Sequence, residues 1–160
     1  MPPSKNRPLN FTTTIPAART VGECQALLAA AGASSVAVHY EDREPAGLSF
    51  QLRTPHGPHA FTLPVNAGGV HRMLVKASHE GKLRADKSRV TRAESREHAA
   101  NVAWRVVKDW LEANLALIEA EMTTLETVML PYLHVDGERT LWQAYQDREQ
   151  AALTAGEPDA

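Results

Sequence analysis

The stretch Thr91–Met122, TRAESREHAANVAWRVVKDWLEANLALIEAEM, decides how the rest of this chain is arranged. It contains no proline and no glycine, and its apolar residues recur at steps of three and four, which predicts one side of an α-helix. Thr91 and Glu94 have the spacing of a capping box, so we expect the helix to begin there. At about 1.5 Å per residue this helix would be roughly 48 Å long. We therefore expect it to protrude, to kink or to pack against a partner chain.

The apolar side of this helix is also a candidate interface. Strands of a small sheet are about 17–20 Å long, so a sheet leaves part of such a helix uncovered. The C-terminal helices could fold back over some of it, and the remainder favours a homodimer or larger oligomer. We expect Trp104, which lies off the main stripe, to flank the core. The candidate interface residues are Trp110, Leu111, Leu115, Ile118, Met122 and Trp142, with Tyr145 beside the last.

The residues before the long helix predict a sheet. Four segments are rich in β-branched and aromatic residues or alternate between apolar and polar residues, which is typical of strands. They are residues 11–15, 35–40, 48–53 and 60–63. A short helix is expected after the capping pattern of Thr20 and Glu23, ending at Gly32, and another over residues 70–77. The short connections indicate a mostly antiparallel sheet.

The residues after the long helix predict further helices. Thr123 and Glu126 repeat the capping pattern, Pro131 ends that short helix, and Thr140 caps a last one. The fold class is therefore α+β: an antiparallel sheet of about four strands with a short helix, followed by the long helix and a helical C-terminal segment. One domain is expected over residues 9–153, with a β-rich half at 9–77, a basic loop at 78–90 and a helical half at 91–153. Residues 1–8 are expected to be a disordered arm and residues 154–160 a disordered tail.

Composition places the chain among ordinary soluble domains. The 160 residues are 43% hydrophobic, and the mean hydropathy is −0.34, as in folded soluble proteins. No apolar run reaches the roughly 20 residues of a transmembrane helix, and the N-terminus lacks the apolar region of a signal peptide. The single Cys24 cannot form an internal disulfide and is expected to be a small core residue. These features favour a cytoplasmic protein with no membrane partner.

Charge is the best indication of a ligand. The net charge of −2 is unevenly distributed: residues 72–108 carry ten lysines and arginines against four acids, whereas residues 109–160 carry two against eleven. A basic loop that leads into a helix start suits phosphate groups, because the helix dipole adds positive potential. The candidate ligand-binding residues are Lys82, Arg84, Lys87, Arg89, Arg92 and Arg96. A solvated loop whose charges keep the protein soluble is the alternative.

Other motifs are weak or absent. Residues 78–103 contain no aromatic residue, which disfavours base stacking and favours contact with phosphates alone. The sequence has no glycine-rich phosphate loop, no nucleophile elbow and no zinc signature. His56 and His59 in a proline-rich turn are more typical of solvated histidines than of a metal site. The cluster Glu41, Asp42 and Glu44 is interpreted as a solvated turn. We therefore expect neither an enzyme nor a cofactor nor a metal.

Several segments resemble known sequences. Residues 103–114 (AWRVVKDWLEAN), 117–120 (LIEA) and 129–133 (MLPYL), with the N-terminal FTTTIP, are similar to uncharacterised small proteins of bacteriophages and prophages. The similarity covers most of residues 9–146. That family has no established activity, so it assigns no site residue. It implies an accessory protein of a mobile element that acts in the cytoplasm of a bacterial host cell.

Two functions follow from these features. The first is binding of a phosphate-bearing partner, either nucleic acid or a nucleotide signal, through the basic loop and helix start. Sequestration of such a signal would serve defence evasion. The alternative is an oligomeric interaction module that acts on a host or phage protein through its long helix.

Overall fold

A three-stranded antiparallel sheet and one long helix form the centre of the protein. The computed structural model describes residues 8–83 and 95–155. The strands are β1 (Ser35–Glu41), β2 (Glu44–Thr54), β3 (Gly57–Pro64), β4 (His134–Asp136) and β5 (Arg139–Thr140). The helices are α1 (Ala17–Ala30), α2 (Ala67–His79), α3 (Arg96–Glu119), α4 (Leu125–Met129) and α5 (Leu141–Ala155), with a 3₁₀ turn at Leu130–Tyr132. The predicted α+β class is confirmed, since an antiparallel sheet precedes a long helix.

The sheet has the order β1–β2–β3 and one apolar face. In one row across the sheet Val36 pairs with Phe50 and Phe50 with Phe61, and the two phenylalanine rings stack with centroids 5.6 Å apart. The row of Leu48 lies beside it on the same face. Alternation therefore sends the large apolar side chains of β2 and β3 into the core, as the period of two predicts.

Helices α1 and α3 cover this apolar face. Cys24 and Leu28 of α1 and Trp104 of α3 are fully buried in one cluster with the sheet residues. The indole Nε1 of Trp104 donates a hydrogen bond of 3.0 Å to the carbonyl of Pro45, so the polar atom of this large side chain is satisfied. The expectations that Cys24 lies in the core and that Trp104 joins it are both confirmed.

The prediction of a strand at residues 11–15 is wrong. Residues 9–12 form turns, and Phe11 packs against α2 and α3 instead of joining the sheet. Its carbonyl is held by the ring of the buried His98, with Nε2 at 2.7 Å. Helix α1 also begins earlier than expected, at Ala17, because the side-chain oxygen of Asn101 in α3 accepts the first backbone N–H at 2.7 Å. The main sheet therefore has three strands rather than about four.

The long helix is shorter than predicted. The extended residue Ser95 is its N-cap, and the Ser95 hydroxyl accepts the backbone N–H of His98 at 3.0 Å, so α3 begins at Arg96 and not at Thr91. It ends at Glu119, and Glu121 then adopts a φ of 57° that turns the chain back. Its 24 residues correspond to about 36 Å. The expected length of roughly 48 Å is therefore wrong.

The segment after α3 returns along it and covers much of its apolar side. Met129 is fully buried, and the ring of Tyr132 meets that of Trp110 edge to face at a centroid distance of 5.8 Å. Leu111 is fully buried within its own chain, and Leu115 packs against the same core. Leu111 therefore offers no surface to a partner, and its assignment to an interface is wrong.

The other predicted interface residues keep some exposure. Met122 is 74% exposed and Trp142 is 53% exposed, while Ile118 and Trp110 are partly buried. Strands β4 and β5 pair as a small antiparallel hairpin. It leads into the capping box of α5, in which Thr140 and Gln143 exchange backbone-to-side-chain bonds of 2.9 and 3.3 Å. The predicted role of Thr140 is confirmed, whereas residues 154 and 155, assigned to the tail, belong to α5.

None of the helices in the described ranges is both long and apolar enough to cross a membrane.

Candidate ligand-binding cleft

The predicted basic residues are only partly within the described chain. Arg84, Lys87, Arg89 and Arg92 lie outside the described residues. Lys82 forms an ion pair with Glu80, and that contact lowers the pKa of the Glu80 carboxyl. Arg96 is the exposed first residue of α3 and has no ion pair within residues 8–83 and 95–155. Of these two side chains, only Arg96 lines a cleft with further polar residues.

This cleft lies where three elements meet. It has a volume of about 500 Å³. Its walls are the tip of the β1–β2 hairpin with the first residues of β2, the N-terminal turns of α2, and the N-terminal turns of α3. We call it the hairpin–helix cleft. Arg72, Arg96 and His71 come from the helices, and Glu41, Asp42 and Glu44 come from the hairpin. The fold therefore brings together cations and carboxylates that are far apart in the sequence; Glu41 and Arg96, for example, are separated by 55 positions.

The helix side of the cleft concentrates positive potential. The Nη1 atom of Arg72 lies 3.7 Å from where a Cβ on Gly68 would stand, so the guanidinium lies over the first turn of its own helix. Asn66 caps this turn by accepting the N–H of Gly69 at 2.8 Å. A cation at a helix N-terminus is opposed by the helix dipole. Arg72 has no ion pair among the described residues, so an anion bound there would be stabilised by the arginine and the helix together.

The hairpin side carries unpaired carboxylates. Asp42 and Arg43 have φ values of 49° and 69°, which is the two-residue turn that suits a twisted hairpin. This turn sets Glu41 directly opposite Glu44 in the strand register. Like charges in that position repel, and within the described chain no lysine or arginine pairs with either. Hydrogen-bond donors of a ligand would relieve this repulsion.

The floor of the cleft is fixed by the core. The Pro45 carbonyl is bonded to Trp104, and the Ala46 carbonyl accepts the N–H of Val65 at 2.8 Å. Gly47 permits this close approach, because a Cβ there would lie 3.0 Å from the Leu63 carbonyl oxygen. The polar rim therefore stands on a rigid base, which is what a preorganised binding site requires.

A second polar cluster lies on the outer face of the sheet. The Nε2 of His39 contacts the Ser49 hydroxyl, which lies 2.7 Å from that of Thr62, which in turn lies 2.6 Å from the Nε2 of His134. Three bonds need three hydrogens and the two hydroxyls supply two, so at least one imidazole donates through Nε2. None of these four residues lines the hairpin–helix cleft. The cluster ties β4 to the sheet.

The described residues contain no group of three or more histidine, cysteine, aspartate or glutamate side chains that could hold a metal ion. His56 lies in the β2–β3 turn and His59 in β3, whereas His71 and His79 lie on α2.

Sequence reasoning identified only one side of the cleft. It selected Arg96 through the helix start, but it missed Arg72 and interpreted Glu41, Asp42 and Glu44 as a solvated turn. The available signal was Asn66, an N-cap residue type, with Arg72 six positions later: a capped helix start with a nearby cation.

No family model, no curated protein and no solved structure matches this chain. The resemblance to phage and prophage proteins therefore remains a sequence-based expectation.

Proposed function

We propose that this protein is a non-enzymatic binding protein that holds a small phosphate-bearing ligand, a nucleotide, in the hairpin–helix cleft. One observation carries the proposal: Arg72 and Arg96, neither paired with a carboxylate of the described residues, stand at two helix N-termini on one cleft of about 500 Å³. Clefts of roughly 300–1,000 Å³ accommodate small organic ligands. Arginine also suits phosphate, because its planar donors match two phosphate oxygens at once.

The mixed charge of the cleft favours a nucleotide over a nucleic-acid strand. A strand would bring a series of phosphates past Glu41, Asp42 and Glu44, which would repel them. A nucleotide instead has phosphates at one end and hydroxyl and amino donors at the other. The arginines would hold the phosphates, and the carboxylates would accept hydrogen bonds from the donors.

The biological setting of the proposal comes from the resemblance to phage proteins. A cytoplasmic protein of a mobile element that binds a nucleotide without converting it would sequester that nucleotide. A nucleotide signal of the host's defence is the class of ligand for which such sequestration would be useful. Arg84, Lys87, Arg89 and Arg92 remain proposed contacts to the phosphates, since the sequence places them between α2 and α3.

Calorimetric titration with mono-, di- and cyclic nucleotides, and with pyrophosphate, tests the proposal. Changing Arg72→Ala or Arg96→Ala should weaken binding of the best ligand about 10- to 100-fold, because each removes a charge-assisted contact of about 1.5–3 kcal/mol. The matched control is Arg53→Ala, which removes the same charge from an exposed residue of β2 outside the cleft. The control should bind like the wild type.

Two further binding measurements decide whether the ligand is a nucleotide or a single-stranded nucleic acid. The double change Glu41→Gln and Glu44→Gln should weaken nucleotide binding, because a neutral amide is a poorer acceptor than a carboxylate. The same change should strengthen binding of single-stranded nucleic acid if a polymer is the ligand. A wild-type protein that binds neither nucleotides nor pyrophosphate would overturn the proposal, as would cleft variants that bind as well as Arg53→Ala.

A second candidate function, self-association or docking to a protein, was expected from the long helix. Much of that helix is covered by α4 and the 3₁₀ turn. The observation that favours association instead lies on α5, and it is independent of the cleft.

A further inference from the structure

Helix α5 is a complete helix that the described chain barely supports. None of its 15 residues is buried, and every residue from Tyr145 to Ala155 is exposed. Isolated helices of this length are marginal in water, since nucleation is costly and packing normally supplies the stability. An α5 that is helical throughout therefore points to a partner that covers it.

The exposed side of α5 carries large apolar residues at its two ends. Trp142 and Tyr145 are 53% and 52% exposed, and their rings stack with centroids 5.7 Å apart. Leu153 is 74% exposed. Single exposed apolar residues are common, but three on one side of a helix mark an interaction surface.

The order of residues along this side is nearly symmetric on reversal. Trp142, Gln146, Glu149 and Leu153 follow one another at steps of four, three and four, so they lie on one face of the helix. Read from either end, the face presents an apolar residue, a polar residue, a polar residue and an apolar residue. A second copy of the same helix running in the opposite direction would therefore match it.

We propose that α5 pairs with α5 of a second copy of this chain, antiparallel about a two-fold axis between residues 147 and 148. In this register Trp142 of each copy packs against the other copy's Leu153. Gln146 of each copy lies opposite the other copy's Glu149, where its amide donates to the carboxylate. The interface is isologous, as two-fold dimers require. We define these four positions as the α5 stripe.

The α5 stripe also fits a second copy better than a strongly charged partner. Its apolar ends and neutral-to-acidic centre offer no cluster of charge for an oppositely charged protein. Each aromatic side chain can bury about 150–250 Å² in total, so the half-exposed rings of Trp142 and Tyr145 in two copies supply roughly 300–500 Å², to which the two Leu153 side chains add. This area is below the roughly 1,000 Å² of a stable specific interface and is typical of a weak one. We therefore expect a dimer that dissociates on dilution.

Sedimentation equilibrium of the full chain tests the pairing. Protein concentrations from about 1 μM to 1 mM cover dissociation constants of weak and moderate dimers. The wild type should pass from monomer to dimer within this range. Leu153→Lys should shift the midpoint at least tenfold upward, because a charge would face the other copy's Trp142. The matched control is Ala151→Lys, which places the same charge on the opposite side of α5 and should leave the midpoint unchanged. Neither variant should disturb the fold, since both residues are exposed.

A charge exchange tests the register. Gln146→Glu should weaken the dimer, because it brings two carboxylates together at each Glu149. Adding Glu149→Lys to the same chain should restore it, with far-UV circular dichroism checking that helix content stays equal. A wild type that remains monomeric at about 1 mM, far above the dissociation constant of a specific dimer, would overturn the proposal. A dimer that Leu153→Lys leaves intact would also overturn it, since the interface would then lie elsewhere. The same holds if the α5 stripe becomes covered only when another protein is added.

Discussion

Cys24 is a thiol whose chemistry is suppressed by its surroundings. Its side chain is fully buried in the core. Burial raises the pKa of the thiol from its ordinary 9.0 to about 11, the nearby carboxylate of Glu23 adds to the increase, and Lys108 and Arg105 oppose it. The thiolate is the reactive form of cysteine. Cys24 is therefore a packing residue, which agrees with the expectation from its place in an apolar helix face.

The raised pKa of Cys24 predicts a specific loss of stability in alkali. Below pH 9 both the folded and the unfolded chain keep the thiol proton, so the free energy of unfolding is unaffected. Between pH 9 and 11 only the unfolded chain releases it, which lowers the free energy of unfolding by up to about 1.4 kcal/mol per pH unit. Urea titrations at several pH values should show this slope in the wild type.

The Cys24→Ala variant provides the reference, because lysines and tyrosines also titrate in this range. The variant should be less stable at pH 7 through the cavity it leaves, yet its stability should fall less steeply above pH 9. Equal slopes for the two proteins would mean that the thiol gains solvent access.

At the scale of elements, the start of α3 illustrates how two local signals compete. Thr91 with Glu94 has a good capping pattern, but Ser95 is the residue that caps α3, with its hydroxyl on the N–H of His98. The ring of His98 then bonds to the carbonyl of Phe11, which joins the N-terminal segment to this helix start. A pattern of spacing cannot include that distant contact. The helix itself was predictable, whereas its first residue was not.

Removal of the Ser95 hydroxyl should therefore cost stability. Ser95→Ala should lower the free energy of unfolding by about 1 kcal/mol, the usual cost of losing an N-cap. The suitable control is Ser34→Ala, at an exposed serine whose hydroxyl has no hydrogen bond within the described chain; surface changes of that kind stay within about 0.5 kcal/mol. Chemical denaturation measures both. If the two variants prove equally stable, capping at Ser95 does not hold α3 in solution.

The strands were predictable to the extent that their pattern is local. Alternation along β2 follows from one buried face, and the strand ends at the two-residue turn of Pro55 and His56. The segment at residues 11–15 has the composition of a strand, yet Phe11 finds its burial against α2 and α3. The hairpin–helix cleft was not predictable, because Glu44, Arg72 and Arg96 meet only through the packing of three elements. Local pattern reports which residues are apolar, but it does not report which distant polar residues become neighbours.

The whole molecule consists of a hydrophobic core, to which the sheet and helices α1, α3 and α4 contribute, and of helix α5, which contributes no buried residue to it. Sheet, α1 and α3 share one continuous cluster of buried side chains, to which α4 contributes Met129. Helix α5 contributes no buried residue. Its polar attachment within the described chain consists of the Thr140–Gln143 capping box, a 2.8 Å bond from the N–H of Leu141 to the Leu133 carbonyl, and an exposed ion pair with 3.1 Å between Arg139 Nη1 and Asp147 Oδ2. Folding and self-association should therefore be separable in this chain.

A chain that ends at Ala144 makes this separation measurable. It keeps the capping box and the Leu141 bond, and it loses Tyr145–Ala155, all of which are exposed, together with the last five residues. Its free energy of unfolding should fall by no more than about 1 kcal/mol, since removal of exposed residues and of the exposed Arg139–Asp147 ion pair costs little. It should remain monomeric at every concentration, because the α5 stripe has lost Gln146, Glu149 and Leu153. Nucleotide binding in the hairpin–helix cleft should be unchanged. Denaturation, sedimentation and calorimetry on the same preparation give the three values. Because no buried core residue comes from α5, the truncated chain keeps a complete core and should fold. A truncated chain that unfolds would therefore show that α5, or the dimer it forms, is required for the fold.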